Sequence, residues 1–319
     1  MADIEITVEG GTSKRLLTAG KYCDRNIKVT ATGGGGEPEP PDDGKTRLYI
    51  TVPANSMPDR PPPRNEVPLY IQQSVDNGVT IDWGDGSDPE TLPGTGNVET
   101  THTYQQAGDY VISLDPADGC ELGLGHGLLN TCVMGNSNIS GYVYFNSLKR
   151  VVIGDRGITS IGNRAFDDCS SLVSVSITNG LTSIGVNAFD GCASLQSIGI
   201  PEGVTEIGIS AFSYCYSLGL ISIPEGVSSI ADSTFSYCRS LASILMPESV
   251  TSIKSRAFKS CSSMKEYHFL STAPPELSTT AFDGIPSDCV IYVPAGSLEA
   301  YQTATNWSTY AGQMREEGT

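Results

Sequence analysis

Three histidines, nine cysteines and a short run of carboxylates are the residues of this sequence with chemistry to offer. His102 stands in the alternating run Thr101 to Tyr104 and reads as a structural strand residue. His126, in GLGHGLL, has no Ser, Cys or Asp motif at catalytic spacing, so no nucleophile and base can be assigned to it. The same GLGHG lacks the Lys-Ser/Thr ending and the following helix of a phosphate loop. Asp82, Asp85 and Asp88 carry the oxygen ligands calcium prefers, but the glycine at the sixth loop position and the bidentate glutamate at the twelfth are missing. A turn closed by aspartate side chains onto the backbone is the competing reading, and the sequence favours it. No pair of acids can be nominated for glycoside hydrolysis, since the separation of sequence-remote carboxylates cannot be read from a sequence. The expectation is therefore no catalytic residue, no metal and no cofactor.

The cysteines point to packing. Cys169, Cys192, Cys215, Cys238 and Cys261 are spaced by 23 residues and should stack as one column of buried thiols acting as small apolar side chains. No CxxC or Cys/His cluster of zinc-ligand spacing occurs. Cys120 and Cys132 either pair or remain two free thiols.

That spacing is the organising fact of the C-terminal half. Phe166, Phe189, Phe212, Phe235 and Phe258 keep the period of 23 without a slip, as do Ile161, Ile184, Ile207, Ile230 and Ile253. Leu172, Leu195, Leu218 and Leu241 follow it, with Met264 in the fifth unit. A fixed period of this length predicts a solenoid in which each unit is stable only when stacked on its neighbours. In the unit from Thr182 to Thr205, Leu195, Ile198 and Ile200 form a short strand with alternate side chains inward. Pro201, Glu202 and Gly203 turn the chain, Val204 and Ile207 return to the core, and AFxxC closes the coil as a helical turn with Ala, Phe and Cys inside. At a strand spacing of about 4.8 Å, five units rise roughly 20 to 25 Å.

The unit SIGxxAFxxCxSLxSIxIPEGVT resembles the BspA-type family of bacterial leucine-rich repeats, which implies a mainly β solenoid used for recognition. Its expected limits are 151–285, with an N-terminal cap at 117–150 and a C-terminal cap at 286–319. Just before the latter, the Phe column slips to Phe282; within it a strand runs from Val290 to Val293, and Leu298, Tyr301 and Trp307 form a helical lid behind Ser297 as N-cap. Upstream, residues 46–116 alternate short apolar runs with Pro, Gly, Asn and Asp clusters, as a β-sandwich does. VTIDWGDGS and THTYQQAGDYVISL make this stretch resemble a PKD-type immunoglobulin-like domain, with Trp83 as buried anchor, Gly84 to Gly86 as a tight turn and Tyr104 before the last strand. Trp83 running directly into Gly84 departs from the usual motif. Residues 33–45 (GGGGEPEPPDDGK) are a linker by composition. Residues 1–32, with strand-like Ile4 to Val8 and Asn26 to Ala31, are too few to fold alone and are expected to dock on a partner. LLTAGKYCDRNIKVTATGGGG resembles N-terminal segments of bacteriophage tail-associated structural proteins, implying attachment to other virion proteins.

Lys plus Arg number 19 against 36 Asp plus Glu, and the net charge of −17 opposes binding to nucleic acid and anionic membranes. No stretch is apolar enough to span a membrane and the N-terminus shows no export signal, so a soluble chain is expected. What remains for function is surface. Leu220, Leu245, Glu266 and His268 point outward from the repeat strands among mostly small neighbours. On the helical-turn side, Tyr214 and Tyr216 should stack against Tyr237 and Arg239 of the following unit, and Tyr and Arg are enriched where proteins bind partners. These eight residues are the candidate ligand surface, although tyrosine ladders also serve simply to cover the turn beneath. The expected role is non-enzymatic recognition of a protein or glycan on a cell surface, carried on a virion tail, alternatively by a secreted surface adhesin. A homo-oligomer is compatible with the sequence, but no heptads require it.

Overall fold

A computed structural model describes residues 4–7, 27–30, 43–52, 66–124, 131–132, 135–136 and 148–318. Most of the expected docking segment and linker, together with His126, lie outside them, and so does the Cys132 side chain. The protein is mainly β, and its repeats form a β-solenoid.

Each coil carries two short strands on different faces. One ladder of parallel strands runs through Leu148–Ile153, Ser174–Ile177, Ser197–Ile198 and Leu220–Ile221, then through Ser243–Met246, Glu266–Phe269 and Val290–Val293. The other runs from Leu122–Leu124 through Ile158–Ile161, Ser183–Ile184 and Glu206–Ile207, then from Ser229–Ile230 through Ser252–Ile253 to Glu276–Leu277. The ladders thus extend beyond the five strict repeats at both ends, because the flanking coils keep the strands while losing the full motif.

The two ladders are joined by an arc, the AFxxC segment. Its helical turn consists of successive i to i−3 hydrogen bonds, such as Ala188 N to Gly185 O and Cys192 N to Phe189 O. Two residues per coil interrupt it in the left-handed region, for example Ser210 and Tyr214 at φ 54° and 56°. Those reversals turn alternate amides outward along the solenoid axis: Ser210, Phe212 and Tyr214 donate to the carbonyls of Asp232, Thr234 and Ser236 in the next coil. The arc is therefore a third ladder of hydrogen bonds. Inside it, Phe166, Phe189, Phe212, Phe235 and Phe258 stack with centroids 5.1 to 5.7 Å apart. The one-residue slip to Phe282 tilts the last ring to 35°.

Upstream of the repeats, Thr46–Val52, Gly108–Pro116, Val79–Asp82 and Glu90–Thr91 continue the first ladder as one sheet, and Glu66–Gln73 and Gly96–Thr103 continue the second. Hydrogen bonding runs straight across residue 116, where a module boundary was expected. Thr46–Val52 pairs antiparallel with Leu148–Ile153, and Glu66–Gln73 pairs antiparallel with Leu122–Leu124. Both sheets change from antiparallel to parallel at this junction, so the first coil is capped by strands from residues 46–73. Gly154 sits where a Cβ would come within 1.9 Å of the Gly44 carbonyl oxygen. The Arg156 guanidinium closes the outside, 2.6 Å from Asp115. One continuous apolar core fills both parts.

The far end is capped by Val290–Val293, the helix Leu298–Thr303 and the 3-10 turn Trp307–Gln313, which bury Tyr301 and Trp307. Ser297 precedes that helix but its side chain does not cap it, because the hydroxyl donates back to the Pro294 carbonyl at 2.6 Å. A further strand, Met314–Glu316, unforeseen in the sequence, pairs with Val290–Val293 and covers the last edge. No helix of the described residues is long and apolar enough to cross a membrane.

Candidate functional site

The residues with potential chemistry are occupied in holding turns. Asp82 accepts the Gly84 amide, and Asp85 accepts both the amide and the hydroxyl of Ser87, the aspartate-closed turns favoured over a calcium loop. His102 bonds Asp85 Oδ2 at 2.7 Å and stacks on Trp83 with centroids 4.8 Å apart. Burial works to raise the Asp85 carboxyl, but the Ser87 hydroxyl, His102 and the Ser87 amide overcome it and hold the group at about 2. Ser87 and His102 both bond the aspartate, so the order is serine, aspartate, histidine and the histidine does not stand as a base beside the hydroxyl. Tyr104 is buried and donates to the Trp83 carbonyl at 2.8 Å.

The repeat cysteines and Cys120 are buried thiols, and the pairing weighed for Cys120 falls on Cys132, whose side chain lies outside the described residues. Cys192, Cys215, Cys238 and Cys261 each donate to the carbonyl of the phenylalanine one coil back, at 3.1 to 3.2 Å. Burial pushes the Cys261 thiol up to about 12, which keeps it protonated and a poor nucleophile. A cleft of about 370 Å³ between Pro274–Leu277 and Ala304–Trp307 has Glu276 as its one ionisable lining residue. A single carboxylate supplies no acid–base pair.

The eight candidate surface residues fall into two groups. Leu220, Leu245, Glu266 and His268 lie on the strand face, all half-buried. His268 is held between Glu317, at 2.6 Å, and Glu266, at 3.3 Å, with its ring stacked on Tyr292. That cluster ties the C-terminal cap to the sheet.

Tyr214, Tyr216, Tyr237 and Arg239 come together on the arc. Tyr214 and Tyr237 occupy equivalent left-handed positions in successive coils, so their rings stack along the solenoid axis, 4.8 Å apart and 6° from parallel. Tyr216 stands nearly perpendicular to Tyr214 at 6.1 Å, and the Arg239 guanidinium lies over it at 4.8 Å. Lys259, which the search for columns missed, lies 5.9 Å over Tyr237. It escaped because it belongs to the neighbouring column, occupied by Asp167, Asp190, Ser213 and Ser236 in the earlier coils. Tyr214 and Tyr216 remain 41% and 38% exposed.

The patch straddles an interruption. Between the coils of Leu218 and Leu241 neither strand ladder is paired, whereas the arc bonds continue. Gly208 approaches the preceding coil so closely that a Cβ there would lie 2.6 Å from the Gly185 carbonyl carbon. In the next coil this position is Ala231, where the ladders are unpaired; Lys254 carries a side chain at the same position in a paired coil, so the side chain alone does not account for the break. The stacked Tyr214 and Tyr237, with Arg239 over Tyr216, bridge the level where the strands do not.

Fold and surface together define a β-solenoid repeat protein that presents an aromatic patch on one edge. Residues 137–284 match the BspA type leucine rich repeat region in six copies. Similar solved structures include a T. pallidum leucine rich repeat protein, 36% identical, covering 37% of this chain and 57% of that one, with a TM-score of 0.36. A leucine rich cell surface protein from Faecalibacterium prausnitzii is 25% identical over 54% of this chain and 60% of its own, at a TM-score of 0.30. A leucine-rich repeat protein from Eubacterium ventriosum is 20% identical over 50% and 47%, at 0.38. This chain therefore spans less than two thirds of each of them. No curated protein matches it.

Proposed function

We propose that this chain is a non-enzymatic recognition protein whose repeats bind a protein or glycan on a bacterial cell surface through the arc, as the presented end of a virion tail component. The observation that carries the reading is the pair of exposed rings, Tyr214 and Tyr216, fixed in place by Tyr237 and Arg239. Rigid aromatic side chains lose little freedom on binding, and Tyr and Arg dominate interface energetics. Attachment is assigned to residues 1–32 on their resemblance to phage tail-associated proteins. The part at 46–116 is read as a PKD-type immunoglobulin-like module, on Trp83, the aspartate turns and Tyr104.

Replacing Tyr214, Tyr216 and Tyr237 together by Ala should abolish binding to the host bacterium and lower the melting temperature only slightly. A collapse of stability would make them packing residues. Deleting residues 1–32 should prevent incorporation into phage particles while the circular dichroism of the repeats is kept. Normal incorporation defeats the docking role, and recovery of the full chain on a bacterial envelope instead of in particles would replace the virion reading by a secreted surface adhesin. Turnover of a capsule or cell-wall glycan would overturn the non-enzymatic reading.

A further inference from the structure

Resting on the arc as the contact surface, the partner's chemistry can be taken one step further. Cations already occupy ring faces within the patch: Arg239 lies over Tyr216 and Lys259 over Tyr237. Tyr214 has one face against Tyr237. Because that stack follows the solenoid axis, the opposite face of Tyr214 looks toward the equivalent position one coil back, and this is Gly191, which has no side chain to cover it. The carboxylate of Asp168, one coil further back, leans into the gap: a Cβ on Gly191 would lie 2.5 Å from Asp168 Oδ1. Asp168 is exposed, and among the described residues no cation pairs with its carboxylate. The nearby Arg164 is engaged with Asp167 at 2.8 Å. An electron-rich ring face beside the exposed Asp168 carboxylate is complementary to a cation and repels an anion.

We propose that the open face of Tyr214, together with the Asp168 carboxylate, receives a lysine or arginine side chain of the partner protein. The ring supplies the cation–π contact, the carboxylate supplies the charge, and Tyr216 forms a wall at right angles. The partner chemistry is thus a basic protein surface, matched to a chain of net charge −17.

The test titrates the full chain with N-acetyl-lysine methylamide and N-acetyl-arginine methylamide, following the Tyr214 ring by NMR. N-acetyl-glutamine methylamide and methyl glucoside serve as neutral probes. The cationic probes should saturate a shift of Tyr214 and the neutral ones should not. Asp168→Asn should weaken the cationic probes about two- to fivefold, the size of an exposed ion pair. Tyr214→Leu should remove the site. Gly191→Tyr should close it without unfolding the chain, because Asp168, Tyr214, Tyr237 and Ser260 all carry side chains at the same positive φ. Saturation by methyl glucoside alone would assign the face to a sugar and overturn the proposal, as would cationic binding that is undiminished in Gly191→Tyr. Bacterial binding lost in the triple Tyr variant but unaffected by Asp168→Asn and Gly191→Tyr would keep the arc as contact surface and reject the cation.

Discussion

Cys192, Cys215, Cys238 and Cys261 each tie one coil to the coil before it through a thiol-to-carbonyl hydrogen bond, so the column works by position and not by reactivity. Iodoacetamide at pH 8 should leave these four thiols unmodified in the native chain and label them after unfolding in urea, read by peptide mass; labelling without denaturant would contradict their burial. The phenylalanines beside them carry more energy. Phe212→Ala should cost about 3 to 5 kcal/mol in urea unfolding, as a large truncation with rings stacked on both sides. Asp190 gives a pH signature. Burial first, then the carboxylates of Asp167 and Asp168, push its carboxyl up to about 7 from its ordinary 3.8, against Ser213 and Arg164, which act to lower it. A carboxyl that holds its proton more tightly in the folded chain weakens the fold as pH rises from about 4 to 7. The urea midpoint should therefore contain a downward component over that interval that Asp190→Asn removes; an identical pH profile in the variant would show that Asp190 ionises normally.

At the scale of elements, the repeat columns were legible because a period of 23 repeats the inward Phe and Cys five times, with Ala and Leu beside them except for Thr234 and Met264, and all of these positions are buried as the pattern requires. Tyr214 against Tyr237 was legible for the same reason, since equivalent positions stack. Other features were not. The strand Met314–Glu316 is too short and too charged to show alternation, and it exists because Val290–Val293 leaves an edge to be paired. The interruption between coils has no signature in the periodicity: Gly162, Gly185 and Gly208 give way to Ala231 there, but Lys254 fills the same position in a coil that is paired. That interruption can be measured by hydrogen exchange. Thr205 and Thr251 donate their amides to the preceding coil, and so do Gly208 and Lys254. The equivalent bonds of Ser228 and Ala231 are missing among the described residues. Amides of Ser228 and Ala231 should exchange faster than those four, since protection follows local hydrogen bonding and packing. Equal protection would mean that the strand ladder closes in solution.

For the whole molecule, stacked coils behave as a chain of nearest neighbours, so cooperativity should break at the weakest interface. The junction near Arg156 is not that interface, because both sheets cross it with paired strands and a shared core. The level of Ala231 is, because two of its three ladders are unpaired, leaving the arc bonds, the Phe stack, the tyrosine patch and the bonds of Cys238 and Ser240 to Phe212 and Tyr216. The chain has two tryptophans, and they fall on either side: Trp83 is buried among the upstream strands and Trp307 in the C-terminal cap. Labelling both with 5-fluorotryptophan should give two fluorine resonances that report the two parts within one unmutated sequence. Urea should then unfold them at separate midpoints, with the upstream strands and the first coils following Trp83 and the later coils following Trp307. Arg156→Ala, which removes the ion pair to Asp115, should lower the Trp83 midpoint and leave that of Trp307 in place. Coincident midpoints that shift together in this variant would mean that the arc ladder and the aromatic stack transmit folding through the solenoid. In that case the tyrosine patch would act as a structural bridge as well as a contact surface, and its triple Ala variant should separate the two transitions.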